Sequence, residues 1–250
     1  MKIIILTAFG VGGATIAGAV MGFVFKNIPK RFCNMLLAFA TGIMLSSSVF
    51  GLIAVSLEVG GSFALPMSIA GIFCGAACIG FAARFIPYIL RLLGICVNNS
   101  DDMSKAGSVL LFVAAIALHN LPEGIAAGVG FGTGNVAKAL VIAGGIALQN
   151  LPEGMVIIAP MLAIGIPPHR TLCCAVATGV VEIIGTFIGY YAVFVCGSIL
   201  PFVLSFAGGT MLYVISDEMI PETHSENCKG TTYSLLAGFC VMMLLDALIG

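Results

Sequence analysis

Charged residues are scarce in this chain. Of its 250 residues, 60% are hydrophobic and only 8% are charged, whereas a soluble domain carries about 25% charged residues. Because so few charges cannot cover a water-facing surface, we expect an integral membrane protein. The net charge of −1 also gives no basis for binding nucleic acid, which requires a basic surface.

Paired-cysteine motifs are absent as well. The nine cysteines are scattered, most of them in apolar runs, with no Cys-x-x-Cys motif, and the chain has no His-rich tract. Cys74 and Cys78 share one helix face, which leaves metal binding open, although a free cysteine in such a run more often packs as a small apolar side chain. No disulfide framework is therefore expected.

The motif of an intramembrane metalloprotease is also missing. That chemistry requires a His-Glu-x-x-His helix with a base beside a metal-bound water. The chain contains no such motif and only three histidines. We therefore expect that the protein is not an enzyme. An intramembrane metal-dependent hydrolase and a metal sensor without transport remain open as alternative functions.

Apolar runs of about twenty residues, the length that crosses a bilayer as a helix, are abundant. They predict an all-α membrane protein with eight transmembrane helices in one bundle, a single transmembrane domain over residues 1–250. The first run resembles a signal peptide, but its apolar core is too long for one. The predicted spans are Ile3–Phe25, Phe32–Leu57, Phe63–Phe85, Ala106–Phe131, Val136–Ile164, Thr171–Cys196, Leu200–Pro221 and Thr232–Ile249.

The basic residues predict the orientation of these spans, because Lys and Arg concentrate in cytoplasmic loops. With eight spans, the loops of one side carry only Lys2 and Lys138. Both termini are therefore expected on the outer side of the membrane. The loops of the other side carry Lys26, Lys30, Arg31, Arg84, Arg91, Lys105, Arg170 and Lys229.

Two near-copies of a polar hexapeptide lie inside apolar runs, thirty positions apart. A charged side chain at the centre of a span costs about 2.5–3.5 kcal/mol on insertion scales, so a chain that places such residues there twice is expected to use them. The repeat predicts a binding site for a cation that crosses the membrane. The copies are His119-Asn120-Leu121-Pro122-Glu123-Gly124 and Gln149-Asn150-Leu151-Pro152-Glu153-Gly154.

A third acid, Glu182, lies near the middle of the sixth predicted span. Small and weakly polar residues share its helix face, so this face is expected to pack inside the bundle and bring Glu182 to the two motifs. One imidazole with carboxylates suits Zn²⁺, Fe²⁺, Mn²⁺ or Co²⁺, whereas all-oxygen sites favour Mg²⁺ or Ca²⁺. The candidate metal ligands are His119, Asn120, Glu123, Gln149, Asn150, Glu153 and Glu182.

At these residues the chain resembles the ZIP (Zrt/Irt-like) family of divalent metal transporters, in its bacterial-type branch. The resemblance extends to the segment 208–222 of the seventh span and to the Gly-rich segment 128–132 after the first motif. It implies import of Zn²⁺, and also of Fe²⁺, Mn²⁺, Co²⁺ and Cd²⁺, across a bacterial plasma membrane. It implies no organic cofactor. The expected partners are these ions, the lipid bilayer and a second copy of the chain in a homodimer.

The same resemblance implies a binuclear site and transport by alternating access, in which some helices move against a static wall. The chain departs from many members at Gln149, where His is common, and from some relatives at Asn150, where they have Asp. One implied metal position comprises His119, Glu123, Gln149 and Glu153, and the second comprises Asn120, Asn150, Glu182 and shared Glu residues.

Further residues are candidates for the metal path. By resemblance, Met44 of the second span touches the path, although a methionine in a membrane helix more often serves packing. The acids at the inner end of the seventh span form either a cytoplasmic exit relay or a solvated helix end. The path candidates are Met44, Ser48, Met211, Asp217, Glu218, Glu222 and His224.

Overall fold

The computed structural model describes residues 1–24, 29–92, 117–118, 120–163, 165–195, 199–224 and 229–249, and this part of the chain is helical. Short 3₁₀ turns at Gly61–Phe63 and Gly130–Thr133 lie in two of the connections. The helices are α1 (Lys2–Val24), α2 (Lys30–Ser46, continued by Ser47–Ala54 and Val55–Val59), α3 (Ala64–Leu92), α4 (helical at 117–118 and 120–129), α5 (Val136–Ala163), α6 (Pro168–Val195), α7 (Leu200–Val214, continued by Ile215–Met219 and Ile220–Thr223) and α8 (Lys229–Ile249).

Seven helices in the described part of the chain are long and apolar enough to cross a membrane. They correspond to seven of the eight predicted spans. The remaining one, predicted at 106–131, lies partly outside the described residues. α3 continues past Phe85, the predicted end of its span, as far as Leu92.

Two helices contain π-helical turns that the apolar pattern did not predict. They span Ser47–Ala54 in α2 and Ile215–Met219 in α7. In α7 the wide turn precedes Pro221, which has no N–H to donate to the carbonyl four residues earlier. Because a π turn changes which residues share a face, side-chain directions beyond it no longer follow the simple helical repeat.

Glycines bring pairs of helices to backbone contact, the usual way in which membrane helices pack closely. Gly18 of α1 lies against the carbonyl of Leu151 in α5, and Gly124 of α4 lies against that of Glu182 in α6. A Cβ at either position would overlap the neighbouring backbone. The same contact joins α1 to α6, α2 to α8 and α3 to α7, through Gly12, Gly179, Gly42, Gly238, Gly75 and Gly209.

Large apolar side chains are exposed on the outside of this bundle, among them Phe73 of α3, Ile184 of α6 and Leu244 of α8. An apolar surface of this extent is not found on soluble monomers, whereas in a bilayer it contacts lipid. Conversely, several carboxylates and amides are buried in the centre. The bundle therefore exposes apolar side chains on its outside and encloses a group of polar side chains within a mostly apolar interior, and buried ionisable groups of this kind in a membrane protein are usually functional.

Candidate metal site

Three carboxylates from three helices are buried at the core. Glu123 of α4 and Glu182 of α6 are fully buried, and Glu153 of α5 is 9% exposed. Glu153 interacts electrostatically with both of the others. Because burying an ionised group costs several kcal/mol unless partners compensate for its lost hydration, the groups around these acids decide what the site can do.

Glu182 accepts hydrogen bonds from three different helices. Its Oε1 accepts one from the Thr15 hydroxyl of α1 at 2.6 Å and one from Nδ2 of Asn120 in α4 at 2.5 Å. Its Oε2 accepts one from Nδ2 of Asn150 in α5 at 2.7 Å. Hydrogen bonds to a carboxylate are among the stronger ones in proteins, so these neutral donors stabilise the buried acid in the absence of a cation.

The two motifs meet directly at Glu123, whose Oε1 accepts a hydrogen bond from Nε2 of Gln149 at 2.6 Å. The side-chain amides of Gln149 and Asn150 donate through their nitrogens to Glu123 and Glu182, which leaves their oxygens for other partners. Oε1 of Gln149 and Oδ1 of Asn150 are buried and have no hydrogen-bond partner within the described part of the chain. A buried acceptor without a partner costs about 1–3 kcal/mol, and an amide oxygen is a ligand for a hard or borderline cation.

The structure joins six of the seven predicted ligands in this network, and the seventh, His119, lies outside the described residues. No three His, Cys, Asp or Glu side chains among the described residues are grouped so that they could hold a metal ion. The acids are instead engaged by amide groups and a hydroxyl. The six are Asn120, Glu123, Gln149, Asn150 and Glu182, linked by hydrogen bonds, and Glu153, linked electrostatically.

Sequence reasoning missed the contribution of α1. Thr15 donates to Glu182, and the carbonyl oxygen of Val11, one turn earlier, lies 3.3 Å from Nδ2 of Asn150. A signal was present: the buried residues of α1 recur every three or four positions and are mostly small, which is typical of a helix face in close contact with neighbours. They include Ala8, Val11, Gly12, Thr15, Gly18, Ala19 and Gly22.

Three path candidates are fully buried: Met44 and Ser48 of α2 and Met211 of α7. The Ser48 hydroxyl donates to the carbonyl of Met44 in its own helix at 2.7 Å. Met44 and Met211 belong to one apolar cluster with Ile146, which precedes Gln149 by one turn of α5. Both methionines therefore pack within the apolar cluster that adjoins the site.

The other four path candidates are exposed at the end of α7. These are Asp217 and Glu218 in the π turn, Glu222 in the last turn, and His224 just after it. The ring nitrogens of His224 lie within hydrogen-bond distance of the hydroxyls of Thr223, at 3.0 Å, and Thr232, at 3.3 Å. This group therefore lies at the surface of the bundle, outside the buried network.

Proteins of similar sequence cover nearly the whole chain. A family model described as "ZIP Zinc transporter" matches residues 95–246. Over 244 residues the chain is 35% identical to zinc transporter ZIPB of Bordetella bronchiseptica, covering 95% of this chain and 78% of that protein. It is 34% identical to zinc transporter GufA of Myxococcus xanthus over 247 residues, 96% of each chain. Zinc transporter ZIP11 of Bos taurus is 30% identical over 331 residues, 98% of this chain and 97% of that protein.

Proposed function

The chain belongs to the ZIP family of zinc transporters, and we propose on this basis that it imports Zn²⁺ across a bacterial plasma membrane. As a member of a transporter family it is not an enzyme, which confirms that expectation and removes the hydrolase alternative. We propose Fe²⁺, Mn²⁺, Co²⁺ and Cd²⁺ as further cargo, because a mixed nitrogen and oxygen ligand set discriminates weakly among such ions.

The proposed transport site is the network between α1, α4, α5 and α6. The observation that carries this proposal is the burial of three carboxylates, Glu123, Glu153 and Glu182, beside the inward-facing amide oxygens of Gln149 and Asn150. A cation that enters would replace neutral donors as the partner of the acids. Charge balance fits, since two carboxylates neutralise one divalent ion and the third attracts another.

We propose two metal positions within this site. The first comprises His119, Glu123, Gln149 and Glu153. The second comprises Asn120, Asn150 and Glu182, with the motif carboxylates shared between the two ions. Anomalous diffraction at the zinc edge would test this arrangement: two peaks within the network are expected, and a single peak would contradict the second position.

We further propose that the helices move as two groups during transport, in a chain of eight spans with both termini outside. α1, α4, α5 and α6 share the site's hydrogen bonds, and glycine contacts at backbone distance join α1 to α5 and to α6, and α4 to α6. Between this group and α2, α3, α7 and α8, the described glycines meet side chains instead, as Gly51 of α2 meets Ile142 of α5 and Gly145 of α5 meets Met242 of α8. Interfaces of flexible side chains allow sliding more readily than interlocked backbones.

The surface between the two groups is largely aliphatic. Met44 and Leu52 of α2 lie in one apolar cluster with Ile142 and Ile146 of α5. Such contacts are not directional, so a shift along the interface exchanges one set for another at modest cost. This supports movement of the site-bearing group past the other helices, which would expose the metal to each side of the membrane in turn. A homodimer would hold the second group still.

Uptake of Zn²⁺ by the purified protein in liposomes, followed with an indicator dye inside, tests the proposal. The wild type is expected to give saturable uptake, and Glu123→Gln and Glu153→Gln are expected to abolish it, because each removes one charge that offsets the ion. Asp102→Asn, which changes an acid between the third and fourth predicted spans, is the matched control and should transport normally. Binding without uptake by the wild type would favour a sensor, and uptake that survives both Glu substitutions would exclude the site assignment.

A further inference from the structure

Thr15 differs from three other buried threonines, Thr41, Thr178 and Thr210, in where its hydroxyl donates. The hydroxyls of Thr41, Thr178 and Thr210 donate to backbone carbonyls of their own helices, which is the ordinary choice for a threonine inside a helix. Thr15 is 1% exposed, and its hydroxyl reaches across to Oε1 of Glu182, 2.6 Å away. The bond therefore serves a neighbouring helix instead of its own.

The helix that carries Thr15 is fixed against both neighbours at this depth. Gly154, the residue after Glu153, lies against the backbone carbonyl of Thr15. Gly12 lies against the carbonyl of Gly179, three residues before Glu182. Backbone contacts therefore fix the position of the Thr15 backbone relative to α5 and α6, and rotation of side chains cannot change that position.

The two carboxylate oxygens of Glu182 differ in the number of hydrogen bonds that they accept. Each carboxylate oxygen offers about two acceptor positions. Among the described residues, those of Oε1 are taken by Thr15 and Asn120, whereas Oε2 accepts one hydrogen bond, from Asn150. Oε2 therefore retains a position for a further partner. Asn150 also presents Oδ1, which is buried without a partner among the described residues, beside the same oxygen.

We propose that Thr15 is a positioning residue, which anchors Oε1 of Glu182 and thereby presents Oε2 to the cation at the second metal position. This inference rests on the proposed function, because it assigns an atom within the proposed site. Thr15 acts through Glu182 and does not touch the ion. Groups that orient a metal ligand in this way are typically worth 10–100-fold in metal affinity.

Two substitutions of Thr15 distinguish the effect of its hydroxyl from the effect of its volume. Thr15→Val keeps the volume and removes the donor, and Thr15→Ser keeps the donor. Thr41→Val is the matched control, because the Thr41 hydroxyl is also buried but donates to Leu37 of its own helix at 2.8 Å. Thr15→Ala provides a second donor-free variant if Thr15→Val fails to fold.

Zn²⁺ binding to purified protein in lipid nanodiscs, measured by equilibrium dialysis, resolves the two positions. Thr15→Val is expected to weaken the second binding step about tenfold or more and to leave the first step unchanged, since Thr15 donates to Glu182, which is assigned to the second position. Thr15→Ser is expected to restore wild-type binding, and Thr41→Val to bind as wild type does.

Three results would overturn the inference. These are wild-type binding of only one Zn²⁺, donor-free variants that bind two ions as tightly as the wild type, and a loss that Thr15→Ser does not restore, which would indicate packing. Failure of the proposed function is distinguishable. A wild type that binds two ions but gives no uptake contradicts import, whereas the effect of Thr15 on binding is read without transport.

Discussion

Different substitutions of Glu182 are predicted to have different effects on stability and on metal binding, because the three hydrogen-bond donors to Glu182 are neutral. Glu182→Leu removes both acceptor oxygens and leaves the buried donors of Thr15, Asn120 and Asn150 without this partner. Each buried donor that loses its acceptor costs about 1–3 kcal/mol. The lower end already gives about 3 kcal/mol of destabilisation.

Glu182→Gln should reduce the stability of the protein by less than Glu182→Leu does. The amide oxygen of Gln can take the place of Oε1 and still accept from Thr15 and Asn120. Its nitrogen would then face Nδ2 of Asn150, but rotation of the Asn150 amide by half a turn brings up Oδ1, which has no partner among the described residues, at the cost of the 3.3 Å hydrogen bond from Nδ2 to the Val11 carbonyl. The loss is then the charge assistance of the bonds together with the long Val11 hydrogen bond, about 1–2 kcal/mol. The variant nevertheless lacks the negative charge that a second ion needs.

Thermal unfolding in nanodiscs tests this pair. Because the chain has no Trp, circular dichroism at the helix band is the appropriate signal. For a chain of this size, 1 kcal/mol corresponds to about 2–4 °C in Tm, so Glu182→Leu is expected to melt about 6–12 °C below the wild type. Glu182→Gln is expected to melt about 2–8 °C below the wild type and above Glu182→Leu. A Leu variant as stable as the wild type would refute the role of the three donors, and a Gln variant as unstable as Leu would refute the amide rotation.

Three further predictions follow from the packing and from the amides. Gly154→Ala should destabilise the protein by at least about 1 kcal/mol, because the added Cβ would overlap the backbone of α1. Gly10→Ala is the control, because the space around its added Cβ is open, and it should change Tm by less than about 2 °C in the same melting assay. Gln149→His should shift the order of Zn²⁺ and Cd²⁺ affinities in dialysis, and an unchanged order would place Gln149 outside the metal's contacts. Lys138→Ala, which removes the exposed 3.3 Å ion pair with Glu58, should lower stability by less than about 1 kcal/mol, and a larger loss in melting would show that this pair holds the two helix groups together.

The sequence predicted the helical spans well because their signal is local. An apolar run of about twenty residues carries the information for its own span, and seven such helices are described in the structure. It also predicted that Glu182 approaches the two motifs, because small residues on the same face of α6 marked the side that packs inward. The roles of these residues as metal ligands stay predictions.

The pairing of distant helices was beyond this reasoning. Nothing near Thr15 in the sequence states that α1 packs against α5 and α6, since the contacts join residues more than 130 positions apart. The hydroxyl of a threonine in an apolar run ordinarily donates to a carbonyl of its own helix, so the residue type does not indicate a contact with another helix. The π turns of α2 and α7 were likewise invisible, because a shift in backbone hydrogen bonding leaves the hydrophobic composition unchanged.

In the proposed site, the two amides of the second motif give a physical reason why a cation can be released at the centre of a membrane. A site made only of carboxylates would hold strongly repelling charges once empty, in a medium that screens them poorly. An amide has both a donor and an acceptor. In the structure Gln149 and Asn150 turn their nitrogens to Glu123 and Glu182, and their oxygens remain for the ion. In the proposed cycle the same residues would stabilise the acids before binding and supply ligands during it, which would lower the difference in energy between the empty and loaded sites.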